Sequence, residues 1–123
     1  KEIPSEKIYE DYVVFCFLDI NPVHLGHSLI VPKEHYENIH DVPDEIAAHI
    51  IKTAKKISQA IKKSGANGTN IIINNGSAAG QEIFHYHTHV IPRYKNDNLP
   101  SWPKKEPTKE DLKQMAEKIV SAL

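Results

Sequence analysis

The sequence predicts an α+β domain. Three observations carry this: short β-branched and aromatic runs bounded by turn residues, one long stretch with helical apolar spacing between them, and a second such stretch at the C-terminus. At 123 residues the chain has room for one hydrophobic core, so 1–123 is read as one domain. Residues 12–20, rich in Val and Phe, end at Asn21-Pro22, and a second apolar run, Ser28–Val31, stops at Pro32, so the two read as a β-hairpin whose turn carries His24 and His27. From Asp44 to Ser64, Ile46, Ile50, Ile57 and Ile61, with Ala47 and Ala54 beside them, follow the helical period between Pro43 and Gly65. Ile71-Ile72-Ile73 and a longer segment, Ile83–Ile91, read as adjacent antiparallel strands joined by the small-residue loop Ser77-Ala78-Ala79-Gly80. Residues 98–108, with Pro100, Pro103 and Pro107, are expected to be irregular surface chain anchored by Trp102. Thr108-Lys109-Glu110-Asp111 resembles a capping box opening a C-terminal amphipathic helix over 109–123.

Composition narrows the function. A formal charge of −1 supplies no general attraction to a nucleic acid polymer or an anionic membrane surface, so neither is expected as a partner. No apolar stretch approaches the roughly 18–20 residues that span a bilayer. The lone Cys16 allows no internal disulfide, and with no signal-peptide core at Lys1-Glu2-Ile3-Pro4 a cytoplasmic location is expected. The first residue is Lys1 rather than Met, which is expected where residues lie upstream.

The informative stretch is Phe84-His85-Tyr86-His87-Thr88-His89-Val90-Ile91. A period of two places three imidazoles on one face of a strand and turns Tyr86, Thr88 and Val90 to the other, under the long helix. Three readings compete: histidines without chemistry, a metal site, or a division of labour among the rings. Residues four apart on a strand are separated by about 13 Å, so His85 and His89 cannot share one ion without a sharp bend. Division of labour explains the alternation best. A histidine nucleophile needs one nitrogen held by a fixed partner so that the other presents its lone pair. His87 fits that role, oriented by a neighbour or a backbone carbonyl, while the flanking rings donate to phosphate oxygens.

His85–Ile91 resembles the signature of the histidine-triad nucleotide hydrolases and transferases, in which three histidines alternate with apolar residues, although Thr88 is only weakly apolar. Asp19-Ile20-Asn21-Pro22, Gly26-His27, Ile30-Val31-Pro32-Lys33, Asn74 with Gly76, and Gly80-Gln81 extend the likeness over roughly residues 6–95. The resemblance implies an antiparallel sheet packed against a long central helix, with a C-terminal helix added. It implies a purine nucleotide substrate cleaved at its α-phosphate, as in a nucleoside phosphoramidate or a dinucleoside polyphosphate such as those of adenosine. His87 would form a nucleotidyl-histidine, with His85, His89 and His27 completing the catalytic set and His89 and His27 contacting the phosphate. Asp19 would hold the ribose hydroxyls, for which a carboxylate is a suitable double acceptor, although Asp19 before Asn-Pro also reads as a turn former. Phe17, Ile20 and Leu29 would sandwich the base, although by alternation alone they read as core. Asn74 would be the phosphate-side amide, and Gly80 and Gln81 would bring backbone donors to the phosphate. His24, His35 and His40 read as surface or loop histidines. Leu25 stands where the family has proline, and Glu82 occupies the loop position where some members have serine.

One branch of the family carries a structural zinc, held by an upstream Cys-x-x-Cys pair, a helix histidine and the first triad histidine. His49 and His85 are the matching positions, and this chain has no cysteine pair, so zinc is expected only with cysteines upstream; no cofactor is expected for the chemistry. The resemblance also implies a homodimer joined through the sheet and the long helix. Two readings from other classes stand beside the enzyme: a nucleotide-binding adaptor or sensor with negligible turnover, and a metal carrier using the eight histidines.

Overall fold

The structure is a computed structural model that describes residues 6–123. Five strands, β1 (Lys7–Glu10), β2 (Val14–Leu18), β3 (Ser28–Pro32), β4 (Gly68–Ile73) and β5 (Thr88–Arg93), form one sheet in the order β1-β2-β3-β5-β4. Every neighbouring pair is antiparallel. The helix α1 (Asp44–Lys63) covers one face and α2 (Lys109–Ala122) follows the irregular C-terminal segment.

Sheet and helix meet through two matched periodicities. Val14 and Cys16 of β2, Ile30 of β3 and Val90 of β5 point to the same face. They pack with Ile50, Ala54 and Ile57 of α1, and Tyr86 joins the same cluster. With Thr53, the buried residues of α1 run i, i+3, i+4, i+7, one stripe of a helix. Acidic Asp44 and Glu45 in the first turn and Lys62 and Lys63 in the last suit the helix dipole. Gly65, at φ +120°, follows the helix end in a conformation that a side chain would strain.

The predicted hairpin is β2 and β3, and β4 and β5 are adjacent and antiparallel as expected. Other boundaries differ. The segment predicted as strand from 12 shortens at its start because Asp11 Oδ1 accepts the amides of Val13 (2.8 Å) and Val14 (2.9 Å) and turns the chain there. That turn joins β2 to the edge strand β1, which the sequence reading did not include: its residues Lys-Ile-Tyr-Glu have little apolar alternation because the strand is largely exposed. The strand expected from Ile83 begins only at Thr88, and residues 83–85 form a bend. The amide of Tyr86 donates to Tyr36 O at 2.6 Å, in a loop rather than a ladder. β5 instead runs on through Pro92, past its last β3 pair at Ser28–Val90, where one flank of the strand has no ladder partner to miss the proline N–H.

Residues 98–108 contain no regular element, as expected, yet Trp102 is 80% exposed and does not anchor them. The α2 capping box forms: Asp111 N donates to Thr108 Oγ1 (3.0 Å) and Thr108 N to Asp111 Oδ2 (3.1 Å). The apolar stripe it opens, Leu112, Met115, Ile119 and Val120, is exposed. Replacing Ile50 by Ala, at the centre of the helix–sheet contact, should cost about 2–5 kcal/mol of stability, read as a lower urea midpoint at unchanged slope.

Candidate active site

The sheet face opposite α1 carries the histidines. Alternation survives the break in strand 83–91: Tyr86 and Thr88 are buried at 2% and 0% exposure on the helix side. His85, His87 and His89, half-buried, take the other side. His87 stands just before β5, and its Nδ1–H donates to its neighbour's carbonyl, His85 O, at 2.8 Å. In the neutral ring this leaves the lone pair on Nε2. The ring meets His89 edge-on, with centroids 4.9 Å apart.

His27, 4% exposed, closes the β2–β3 turn. Its Nδ1 accepts the Val23 amide at 3.1 Å, so the neutral ring carries its proton on Nε2. That nitrogen lies 2.9 Å from His89 Nδ1 and 3.6 Å from Asp19 Oδ2. His27 therefore donates to His89, and His89 in turn carries its own proton on Nε2. The sequence Val23 N–H, His27, His89 is a one-way chain of donors ending in an N–H beside His87. Burial lowers the pKa of His27, against the pull of Asp19. Burial, reinforced by His87 and His27 and opposed by Asp19, lowers that of His89 to about 4. Both rings are thereby kept neutral.

Asp19, His27 and His89 offer three ligand atoms within 4.8 Å of one another, the one such group of three among the described residues. A cation bound there would need the Nε2 lone pair of His27, and the Val23 amide assigns that lone pair to Nδ1. The group is arranged for hydrogen bonding. Asp19 also keeps its turn-forming role, since Oδ1 accepts the Asn21 amide at 2.9 Å.

His85 and His49, the residues matched to the zinc site, engage different partners. His49 Nε2 donates to Asp11 Oδ2 at 2.7 Å, tying α1 to the β1–β2 turn. Burial works against the Asp11 carboxylate, but the Val14 and Val13 amides, His49 and Tyr9 outweigh it and hold its pKa well below the usual carboxylate range. His85 faces His35 instead, Nδ1 to Nδ1 at 2.9 Å, while its Nε2–H is directed at Pro32 O, 3.3 Å away. His35, read from sequence as a surface histidine, is the residue the fold brings to His85. Two zinc-bound nitrogens at about 2.0–2.1 Å and a tetrahedral angle would stand roughly 3.3–3.4 Å apart, so this pair needs only a small opening to serve as two of four ligands. The carbonyl on its far nitrogen is the usual outer partner of a ligating histidine.

Beside His87 lies a cleft of about 610 Å³ lined by Phe15, Phe17, Leu29, Val31, Pro32, Lys33, Ile83, His85 and His87. Phe15 pairs with Val31 and Phe17 with Leu29 across β2 and β3, which makes a continuous apolar wall. Phe17 and Leu29 thus line the cleft, and Phe15 and Val31 extend the same face. Ile20 stands beyond the end of β2, in the turn where Asp19 accepts the Asn21 amide, and is 61% exposed.

Asn74 follows β4, and its Nδ2 lies 3.9 Å from where a β-carbon on Gly80 would stand. Gly80 adopts φ +94° at the end of the short helical turn Ser77–Ala79. Its amide donates to Ser77 O and that of Gln81 to Gly76 O, each at 3.0 Å, so these two backbone donors close the turn rather than face outward. Gln81 is buried and works as a clamp: Oε1 accepts the Gly76 amide at 2.8 Å, and Nε2 donates to Glu37 O at 2.6 Å. Asn75 Oδ1 accepts the Ile39 amide at 2.9 Å and ties the same loop down. Asn-Asn-Gly marks a turn in the sequence but does not name these partners, which lie far along the chain.

Fold and site together define an α+β protein with a histidine-based site on the open face of its sheet. A HIT-domain family model matches residues 1–96, and the chain belongs to this histidine-triad family. It is 51% identical over 96 residues to an uncharacterized HIT-like protein of Methanocaldococcus jannaschii, covering 78% of this chain and 74% of that one. It is 36% identical over 124 residues to an adenosine 5'-monophosphoramidase of Saccharomyces cerevisiae, covering 99% and 77%. The crystal structure of a HIT-family member from Bacillus subtilis superimposes with a TM-score of 0.88 at 41% identity, covering 98% of this chain and 89% of that one.

The His89 shift fixes a pH dependence. The unfolded ring takes up a proton near 6.5, the folded one only near 4. This contribution to stability is therefore complete above about pH 6.5 and is lost as the pH falls from there toward 4. Urea midpoints should fall over that window, and His89→Gln should flatten the fall; an equally steep fall in the variant would contradict the assignment.

Proposed function

We propose that this protein is a nucleotide hydrolase or nucleotidyltransferase that acts at the α-phosphate of a purine nucleotide through a nucleotidyl-His87 intermediate. The observation that carries the reading is the hydrogen bond from His87 Nδ1–H to His85 O, which leaves Nε2 unprotonated in a residue that lines the apolar cleft. The base would lie against Phe17 and Leu29, and Asp19 would accept from the ribose hydroxyls. His87 Nε2 would attack phosphorus, forming an N–P bond as the bond to the leaving nitrogen or oxygen breaks and that atom takes a proton from solvent. Water would then attack phosphorus and give up a proton to solvent; the N–P bond breaks, its electron pair returns to Nε2, and the nucleoside monophosphate leaves, whereas attack by another acceptor would release the nucleotide joined to that acceptor. The His89 Nε2–H at the end of the donor chain suits a phosphate oxygen that gains charge in both steps. His27, whose Nε2–H is directed at His89, would act mainly through that ring. No step requires a bound metal.

The charge around the cleft favours a phosphoramidate over a dinucleoside polyphosphate. Lys33 is the one lysine or arginine in its lining, and it is paired with Glu10 at 2.7 Å. A polyphosphate leaving group carries several charges that want such partners; an amine does not. The name of the yeast relative points the same way.

For the structural zinc of the family's branch, we propose His35 and His85 as the two ligands from this chain, on the 2.9 Å approach of their Nδ1 atoms. Zinc affinity, measured by competition with a chromophoric chelator, should drop on His35→Asn and stay unchanged on His49→Asn. The homodimer also stands as a proposal, supported by exposed Ile51 on α1 and Ile71 on the edge strand β4, and light scattering would read its mass.

Acid quenching under single-turnover conditions should trap labelled nucleotide on the wild-type protein. His87→Ala should abolish the label and lower turnover of adenosine phosphoramidate by roughly 10³-fold or more, with nucleotide binding retained. Binding without consumption by the wild type would instead identify an adaptor.

A further inference from the structure

We infer that His24 is a positioning residue, clamping the β2–β3 turn onto the end of β5 and so holding the His27–His89 hydrogen bond in place. The ladder between β3 and β5 consists of three pairs, Ser28–Val90, Leu29–His89 and Ile30–Thr88. His27 stands one residue beyond its end, so the sheet itself does not set the distance from His27 to His89.

The turn supplies that constraint. The His27 amide donates to His24 O at 3.0 Å, and the Asp19 amide to His27 O at 2.8 Å, so His24, His27 and Asp19 move together. His24 Nε2–H donates to Asp97 Oδ2 at 3.1 Å. Its ring also stands perpendicular to that of Tyr94, with centroids 5.2 Å apart. Asp97 is itself immobilised: Arg93 Nε and Nη2 donate to its two oxygens at 2.7 and 2.8 Å, and the amides of Tyr94 and Leu99 donate at 3.1 and 3.3 Å. Arg93 Nη1 reaches on to Asn70 Oδ1 at 2.8 Å, which anchors the clamp in β4. Between the clamp and the ladder, a β-carbon on Gly26 would come within 3.3 Å of the Pro92 ring, so the turn is seated closely on β5. His24 thus acts at a distance from phosphorus, through His27.

Its catalytic effect rests on the function proposed above, so the test has a readout independent of turnover. Long-range ¹H–¹⁵N NMR reports which ring nitrogen of His27 and His89 carries the proton. Wild type should show Nε2–H on both. His24→Ala should lose the single-tautomer signature of His27 and lower kcat for adenosine phosphoramidate by about 10-fold, with KM little changed. His24→Gln, which can offer an amide donor to Asp97, should restore both. His24→Leu, which keeps bulk against Tyr94 but no donor, should behave like the alanine variant, and it covers the case in which that variant does not fold. Unchanged tautomers and kcat in His24→Leu, or a His24→Gln variant no better than it, would overturn the clamp. A wild type without turnover would count against the proposed function and leave the NMR result to decide the clamp.

Discussion

The site is organised by a short hydrogen bond inside the chain, from His87 Nδ1–H to the carbonyl two residues before it. In a regular strand that carbonyl would be directed along the ladder toward a neighbouring strand. Here residues 83–87 lie outside the ladder, with the Tyr86 amide taken by Tyr36 O, and the His85 carbonyl is available to its own neighbour. Departure from strand geometry is therefore what orients the ring. A side chain held this way needs no rearrangement to present a lone pair, and such preorganisation is where a nucleophile gains most.

The surroundings keep His27 and His89 neutral and fix where their protons sit. Burial disfavours the charged form of His27 and His89, and the directed chain from the Val23 amide through His27 assigns each proton to one nitrogen. The apolar wall of Phe15, Phe17, Leu29 and Val31 adds no charge of its own. On the other face, Val14, Cys16, Ile30 and Val90 pack against α1 and hold the strands in a register that the site cannot shift, because a slip of one residue would exchange the two faces. Core and site are thus two sides of the same strands.

Ile20, which the resemblance places in the base slot, stands exposed in a turn that Asp19 itself forms. Gln81 and Gly80 were expected to serve the phosphate, and their amides close the loop instead. His24 and His35 stand in loops, as the sequence predicts, and the fold gives each a partner there: His24 binds Asp97 and His35 meets His85. The His24–Asp97 and His35–His85 pairings join residues 73 and 50 positions apart, separations at which periodicity carries no information. Edge strand β1 escaped notice because a strand with little to bury shows little apolar alternation. Trp102, expected to anchor residues 98–108, is 80% exposed.

By itself the amino-acid order determined what depends on neighbours along the chain: the helix α1, the capped start of α2, the β2–β3 hairpin, and the division of residues 85–90 into a histidine side and a buried side. These follow from backbone periodicity and capping chemistry, which act over a few residues. Only the tertiary structure decided which nitrogen of each imidazole carries the proton, which histidine faces which partner, and where the strand leaves the ladder. Those outcomes are set by distances of about 3 Å, the range over which a hydrogen bond either forms or does not, whether the partner is two residues away, as for His87 and His85 O, or 62, as for His27 and His89.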